Sequence, residues 1–267
     1  MDRVPLLFIE EVLLQLDSTP YWIRKTLHYP STWGKIAAKR GVKEQARVNL
    51  YLRQEPVFSI WSFHTGIKTP VPFEDLDQFV LEGVTISKEE GQGRPLTKAN
   101  LQLLQRHLRR GYPCSLILKA DFRGTIAEQL CLAAPQVVSI QMNSQVSPSV
   151  EILTRSIERG TLRTLWCTSA VRLTKKLFPV LLKLVASEQF KFLRIARSSG
   201  AISNEACLTG VINALLGRPR RQKFTFYVAQ RYENLCSRLV GDDVRVNVEI
   251  SRYLRDNCFE LTSRSQC

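Results

Sequence analysis

The stretch "SPSVEILTRSIERGTLRTLWC", Ser147–Cys167, is where the architecture is most plainly written. Ser147 stands at a helix-cap position, and Pro148 suits a first helical turn, where its missing N–H would be unpaired in any case. Val150, Leu153 and Ile157 then recur at helical spacing along one face. Gly160 stops the helix, and "TLRTLWC" follows as a short β-rich run. The stretch therefore predicts one unit of cap, amphipathic helix, turn and strand.

The same unit recurs through the C-terminal two-thirds of the chain. Thr97 opens a helix carrying Leu101, Leu104 and Leu108; Gly111 ends it and "CSLILKA" comes next. Thr125 and Glu128 have the spacing of a capping box, ahead of Pro135 and "QVVSIQM". A helix from Thr174 bears Leu177, Phe178, Leu181 and Val185, and its Pro179 predicts a late start or a kink before "FKFLRIA". Ser203 or Asn204 caps a further helix with Cys207, Leu208, Val211, Ile212 and Leu215 on its apolar side. Gly217 ends that helix before "KFTFYV", and Leu235, Leu239 and Gly241 lead into the alternating "VRVNVEI".

Leu116, Val138, Leu165, Leu193, Phe224 and Val246, taken as equivalent strand positions, are spaced by 22, 27, 28, 31 and 22 residues. Leucine-rich solenoids repeat every ~20–29 residues, because one helix and one strand cannot close a core without stacked neighbours. A helix between successive strands makes them parallel, joined by right-handed crossovers. The asparagine ladder L-x-x-L-x-L-x-x-N is absent, so the expected fold is α/β with irregular, leucine-rich-repeat-like units. A doubly wound or half-barrel α/β domain has the same alternation.

Upstream, the period changes. "VNLYL" places Val48, Leu50 and Leu52 on one face, "VFSIWSF" follows Gln54-Glu55-Pro56, and the two read as an antiparallel pair. Phe79–Ile86 adds a candidate strand, and Ser87–Pro95 reads as an exposed loop. Gly91-x-Gly93 in that loop is not a phosphate loop, since no Gly-Lys-Ser/Thr follows.

The first forty residues read as three short helices. "VPLLFIEEVLLQL", Val4–Leu16, repeats apolar residues at helical spacing, and Glu10 and Glu11 break the apolar block that a signal peptide needs. Trp22, Ile23 and Leu27 mark a second helix; Trp33, Ile36 and Ala37 mark a third, which Gly41 ends. Val4-Pro5 followed by Phe8, Ile9, Val12 and Leu13, and later by Trp33-Gly34-Lys35-Ile36-Ala37, resembles an F-box, in particular that of divergent nematode F-box-type proteins. "YWIRKTLHYPS" stands where the family has its mid-motif leucine–cysteine region. The resemblance implies that Val4, Pro5, Phe8, Ile9, Val12, Leu13 and Trp33 dock onto the Skp-type adaptor of an SCF ubiquitin ligase. The expected organisation is an F-box-like unit over residues 1–41, a β-rich connecting segment over 42–95, and the repeat region over 96–267.

Composition narrows the function. The 267 residues carry a formal charge of +14, which suits acidic partners or nucleic acid, and the densest basic run is Arg218–Lys223. No apolar run reaches the ~18–20 residues that span a bilayer, so no membrane association is expected. Seven scattered cysteines lack C-x-x-C spacing, and His28, His64 and His107 do not cluster with them, so neither a metal nor a cofactor is expected. Thiols of this kind belong to a reducing compartment, cytoplasmic or nuclear.

Nucleophile-elbow, zincin, P-loop and kinase signatures are missing, and no histidine accompanies Asp121 or Asp242-Asp243. The chain therefore reads as a non-enzymatic recognition protein. Concave strand faces and the loops after the strands are where solenoids bind. The candidates there are Lys119, Gln141, Trp166, Arg194 and Tyr227, followed by Asp121, Asn143, Arg197, Asn247 and Glu249. Trp166 and Tyr227 fit either an interface anchor or a core aromatic. The expected function is a substrate-recognition subunit of an SCF-type ligase with an unknown protein target; the alternative is a basic nucleic-acid-binding or structural interaction module.

Overall fold

Alternation at period two makes "EQARVNLY" and "VFSIWSFH" strands: Ala46, Val48 and Leu50 are buried, as are Phe58 and Ile60, while the residues between them face the other way. They form β1 (Glu44–Tyr51) and β2 (Val57–His64), paired antiparallel as the sequence predicts. The computed structural model describes residues 44–64, 67–120, 122, 125–142, 150–217, 224–229, 232–239, 248–253 and 258–262. The F-box-like unit and its Val4, Pro5, Phe8, Ile9, Val12, Leu13 and Trp33 lie outside the described residues, as do Ser147-Pro148, Arg218–Lys223 and Val246.

Beyond β1 and β2 come β3 (Ile67–Pro70), β4 (Phe79–Ser87), the two-residue β5 (Arg94–Pro95) and β6 (Cys114–Leu118). β7 (Val137–Met142), β8 (Thr164–Leu173), β9 (Phe192–Gly200) and β10 (Phe224–Ala229) continue the series, followed by β11 (Val248–Tyr253) and β12 (Cys258–Thr262). All belong to one sheet with the order β11-β12-β10-β9-β8-β7-β6-β4-β1-β2-β3, and β5 sits beside β2. From β1 through β4 and β6 to β10 every neighbouring pair is parallel. The protein is thus mixed α/β, built on a mostly parallel sheet. Strand order between β4 and β10 follows the chain without the reversal that a doubly wound sheet requires.

Helices α1 (Lys98–Leu108), α2 (Ile126–Ala133), α3 (Val150–Glu158), α4 (Leu177–Val185) and α5 (Asn204–Leu216) fill the connections, with a single turn α6 (Glu233–Cys236) after β10. Their inward residues, such as Leu104, Leu130, Leu153, Leu181 and Val211, join the strands in one hydrophobic cluster. A straight apolar row runs through that cluster: Ile60, Val48, Val84, Leu116, Ile140, Leu165, Leu193 and Phe226 are successive cross-strand partners. All eight are buried. No described helix is long and apolar enough to cross a membrane.

The row corrects the repeat register. Ile140 and Phe226 occupy the positions expected of Val138 and Phe224. The pairing of β6 with β7 slips between Cys114/Val137 and Ser115/Ser139, so Val138 is the extra residue of a bulge. Two helix details also differ. Val150 is 36% exposed, and α3 instead buries Ile152, Leu153, Ser156 and Ile157. Thr125 makes no side-chain cap, and its hydroxyl donates to the Phe122 carbonyl. The caps at Thr97 and Ser203 hold. Thr97 Oγ1 accepts from Asn100 N–H at 3.2 Å, and Ser203 Oγ accepts from Ala206 N–H at 3.1 Å. α4 starts late, at Leu177, which leaves Pro179 in its first turn.

Candidate recognition face of the sheet

A strand that buries one set of alternate residues offers the other set to the opposite face. Here that set is Asn49, Thr85, Ile117, Gln141, Trp166, Arg194 and Tyr227, which are also successive cross-strand partners. None belongs to the helix-covered core. Four of the five residues singled out as target contacts, Gln141, Trp166, Arg194 and Tyr227, therefore stand side by side on β7–β10. Lys119, the fifth, directly follows β6, two residues beyond Ile117 on the same face.

Around Arg194 the face is aromatic. Its guanidinium carbon lies 5.5 Å from the Trp166 ring centre and 5.5 Å from that of Tyr227. Phe192, two residues earlier on β9, is 5.8 Å from Trp166 and 5.0 Å from Tyr227. The ring faces attract the cation by about 0.5–2 kcal/mol each, which helps keep the charge in place although Arg194 is only 6% exposed. The two readings of Trp166 and Tyr227 meet here: both rings are half-buried and outside the core, and both pack against a cation.

On the β1 side of Gln141 the face hollows into a cleft of about 360 Å³. Arg47, Lys68 and Lys119 supply its positive charge, Glu89 is its acidic residue, and Thr85 and Gln141 form part of its floor. Each cation is oriented. Arg47 Nε donates to Glu82 Oε1 at 3.0 Å, Lys119 Nζ lies 3.3 Å from Glu89 Oε2, and Lys68 Nζ sits 4.1 Å over the Trp61 ring. The Lys119–Glu89 pair is exposed, so it orients the ammonium more than it stabilises the fold.

Sequence reasoning missed Arg47, Lys68 and Thr85. The available signal was weak: Arg47, Asn49 and Tyr51 are the polar alternates of the "ARVNLY" pattern, but nothing local says that β6 and β7 lie beside them. Asp121, Asn143 and Asn247 lie outside the described residues, as do the side chains of Arg197 and Glu249.

The described cysteines do not contribute nucleophiles. Cys114, Cys131, Cys167, Cys207 and Cys236 are buried and form no disulfide. Burial pushes Cys114 up to about 12 and Cys207 up to about 11, and raises Cys131 and Cys167 as well. Among the described residues no group of three His, Cys, Asp or Glu side chains is placed to hold a metal. What the face offers is binding chemistry: cations, amides, hydroxyls and aromatic rings on a rigid sheet. Compared with protein-family models, curated proteins and solved structures, the chain matches none of them.

Proposed function

We propose that this chain is the non-catalytic substrate-recognition subunit of an SCF-type ubiquitin ligase. In this reading the leucine-rich-repeat-like units form a curved stack whose sheet face opposite the described helices holds a protein target. The N-terminal segment, through Val4, Pro5, Phe8, Ile9, Val12, Leu13 and Trp33, docks the Skp-type adaptor. The observation that carries the target-binding half is the alignment of Gln141, Trp166, Arg194 and Tyr227 in one cross-strand row. Aromatic and arginine side chains on a rigid surface are the residue types that dominate protein interfaces. The adaptor half rests on the F-box resemblance of residues 1–41. Function is then geometric: the receptor raises the effective concentration of a target lysine near a ubiquitin-charged enzyme and contributes no bond-making group. Such a ligase works in the cytoplasm or nucleus.

The test is a pull-down of the full chain with purified Skp-type adaptor. Wild type is expected to retain the adaptor, and the triple variant Phe8→Ala/Ile9→Ala/Leu13→Ala to lose it more than tenfold. A folded wild-type protein that fails to bind the adaptor overturns the ligase assignment.

A further inference from the structure

From the polar cleft beside the aromatic row, we infer that the target is engaged through an acidic linear segment, whose carboxylate or phosphate seats between Arg47, Lys68 and Lys119. This inference rests on the target-recognition reading of the face and specifies its partner. Charge comes first. The cleft is lined by three cations and one carboxylate, Glu89, and its other polar groups include Asn49, Thr85, Ser87 and Gln141, all able to donate a hydrogen bond to an oxyanion. Ile117 and the Tyr51 ring add apolar surface, so the cleft suits an acidic group carried on an aliphatic stem.

Size comes second. At about 360 Å³ the cleft suits one or two side chains, near the lower end of ligand sites at ~300–1,000 Å³. A nucleic acid carries phosphate at close intervals along its whole length. The cations here are gathered in one cleft. The row from Gln141 to Tyr227 adds one more, Arg194, already held between two rings, so the face does not space cations as a phosphate backbone needs. A peptide can place one acidic group in the cleft and leave the rest of the face to other contacts.

The register supplies a length. Gln141 lines the cleft and is also the cross-strand partner of Trp166, so cleft and aromatic cluster are continuous. From Trp166 on β8 to Arg47 on β1 the path crosses β7, β6 and β4. Four inter-strand steps of ~4.8 Å come to about 19 Å, which an extended peptide covers in about six residues. The segment is therefore one with an aromatic or large aliphatic residue about six positions from its acidic group.

A phage-displayed library of random dodecapeptides, selected on the full-length protein, tests this. The enriched pool should be rich in Asp and Glu, with an aromatic or large aliphatic residue about six positions away. A fluorescein-labelled peptide from that pool should bind about tenfold more weakly when its acids become Gln, and about tenfold more weakly to Lys68→Ala/Lys119→Ala. Both ammonium groups are solvent-facing, so the double variant should keep the wild-type melting curve. A phosphoserine version of the peptide separates a phosphorylated target from a carboxylate one. An enriched pool without acids overturns the inference, as does binding indifferent to both lysines. Displacement of the peptide by single-stranded DNA whose own binding needs both lysines overturns it too, in favour of nucleic acid. The adaptor pull-down is run on the same wild-type protein. Peptide binding without adaptor binding leaves the cleft assignment standing and removes the ligase.

Discussion

Gly111 and Gly200 both hold positive φ, +84° and +97°, which L side chains avoid. Their surroundings differ. A Cβ built on Gly111, after α1, meets nothing within 4 Å, whereas one on Gly200, at the end of β9, lies 3.1 Å from the Leu173 carbonyl oxygen and 3.3 Å from Arg172 Cγ. Gly111→Ala should therefore cost about 1 kcal/mol, the backbone strain alone. Gly200→Ala should cost about 2–3 kcal/mol, because crowding against backbone adds to the same strain. Urea midpoints at unchanged m values read the difference, and equal losses would show that the end of β9 yields easily. Gly111 was legible in the sequence as a helix stop. Gly200 was not, because its constraint comes from Leu173, on a strand paired with it across α4.

At the scale of elements, local chemistry decides helix starts, and where it does the sequence is a good guide. Ser203 caps α5, while Asn204 Oδ1 turns back to accept from both the N–H and the hydroxyl of Ser198. The loop from β9 into α5 is thereby tied at two points. Ser203→Ala removes the cap only and should lower stability by about 1 kcal/mol. Thermal or urea denaturation reads this, and an unchanged midpoint would mean that the Ala206 N–H finds water at no cost. The pattern misled at Thr125, where capping-box spacing is present but the hydroxyl donates to Phe122 and accepts no helix N–H. A hydroxyl that donates its proton keeps its lone pairs, and spacing alone does not say whether those lone pairs point at the helix N–H groups.

For the whole molecule, one hydrophobic cluster runs from Ala46 on β1 to Leu239 beyond α6. β1–β5 and β6–β10 share a single sheet, with Val84 and Leu116 as cross-strand partners where they meet. The described strands and helices should therefore unfold together. Far-UV circular dichroism and the fluorescence of Trp61 and Trp166, each read in a single-tryptophan variant, should share one urea midpoint. Separate midpoints for the two tryptophans would show a boundary between β2 and β8, the strands that carry them.

The helix–strand alternation, the buried face of most elements and most helix ends follow from the sequence alone, because they depend on contacts within a few residues. A period of two or 3.6 states which side of an element is apolar, and Ser, Thr, Gly and Pro mark its ends. Long-range pairing is different in kind. That β4 lies parallel to β1, that Ile140 rather than Val138 joins the core row, and that Arg47 and Lys68 share a cleft with Lys119 and Gln141 were decided by the sheet. A single bulge shifts every later partner, and residues far apart in the chain become neighbours only through hydrogen-bond register, which no local pattern encodes. Gln141, Trp166, Arg194 and Tyr227 could each be picked out as candidate contacts from their strands. Only the tertiary structure set them in one row.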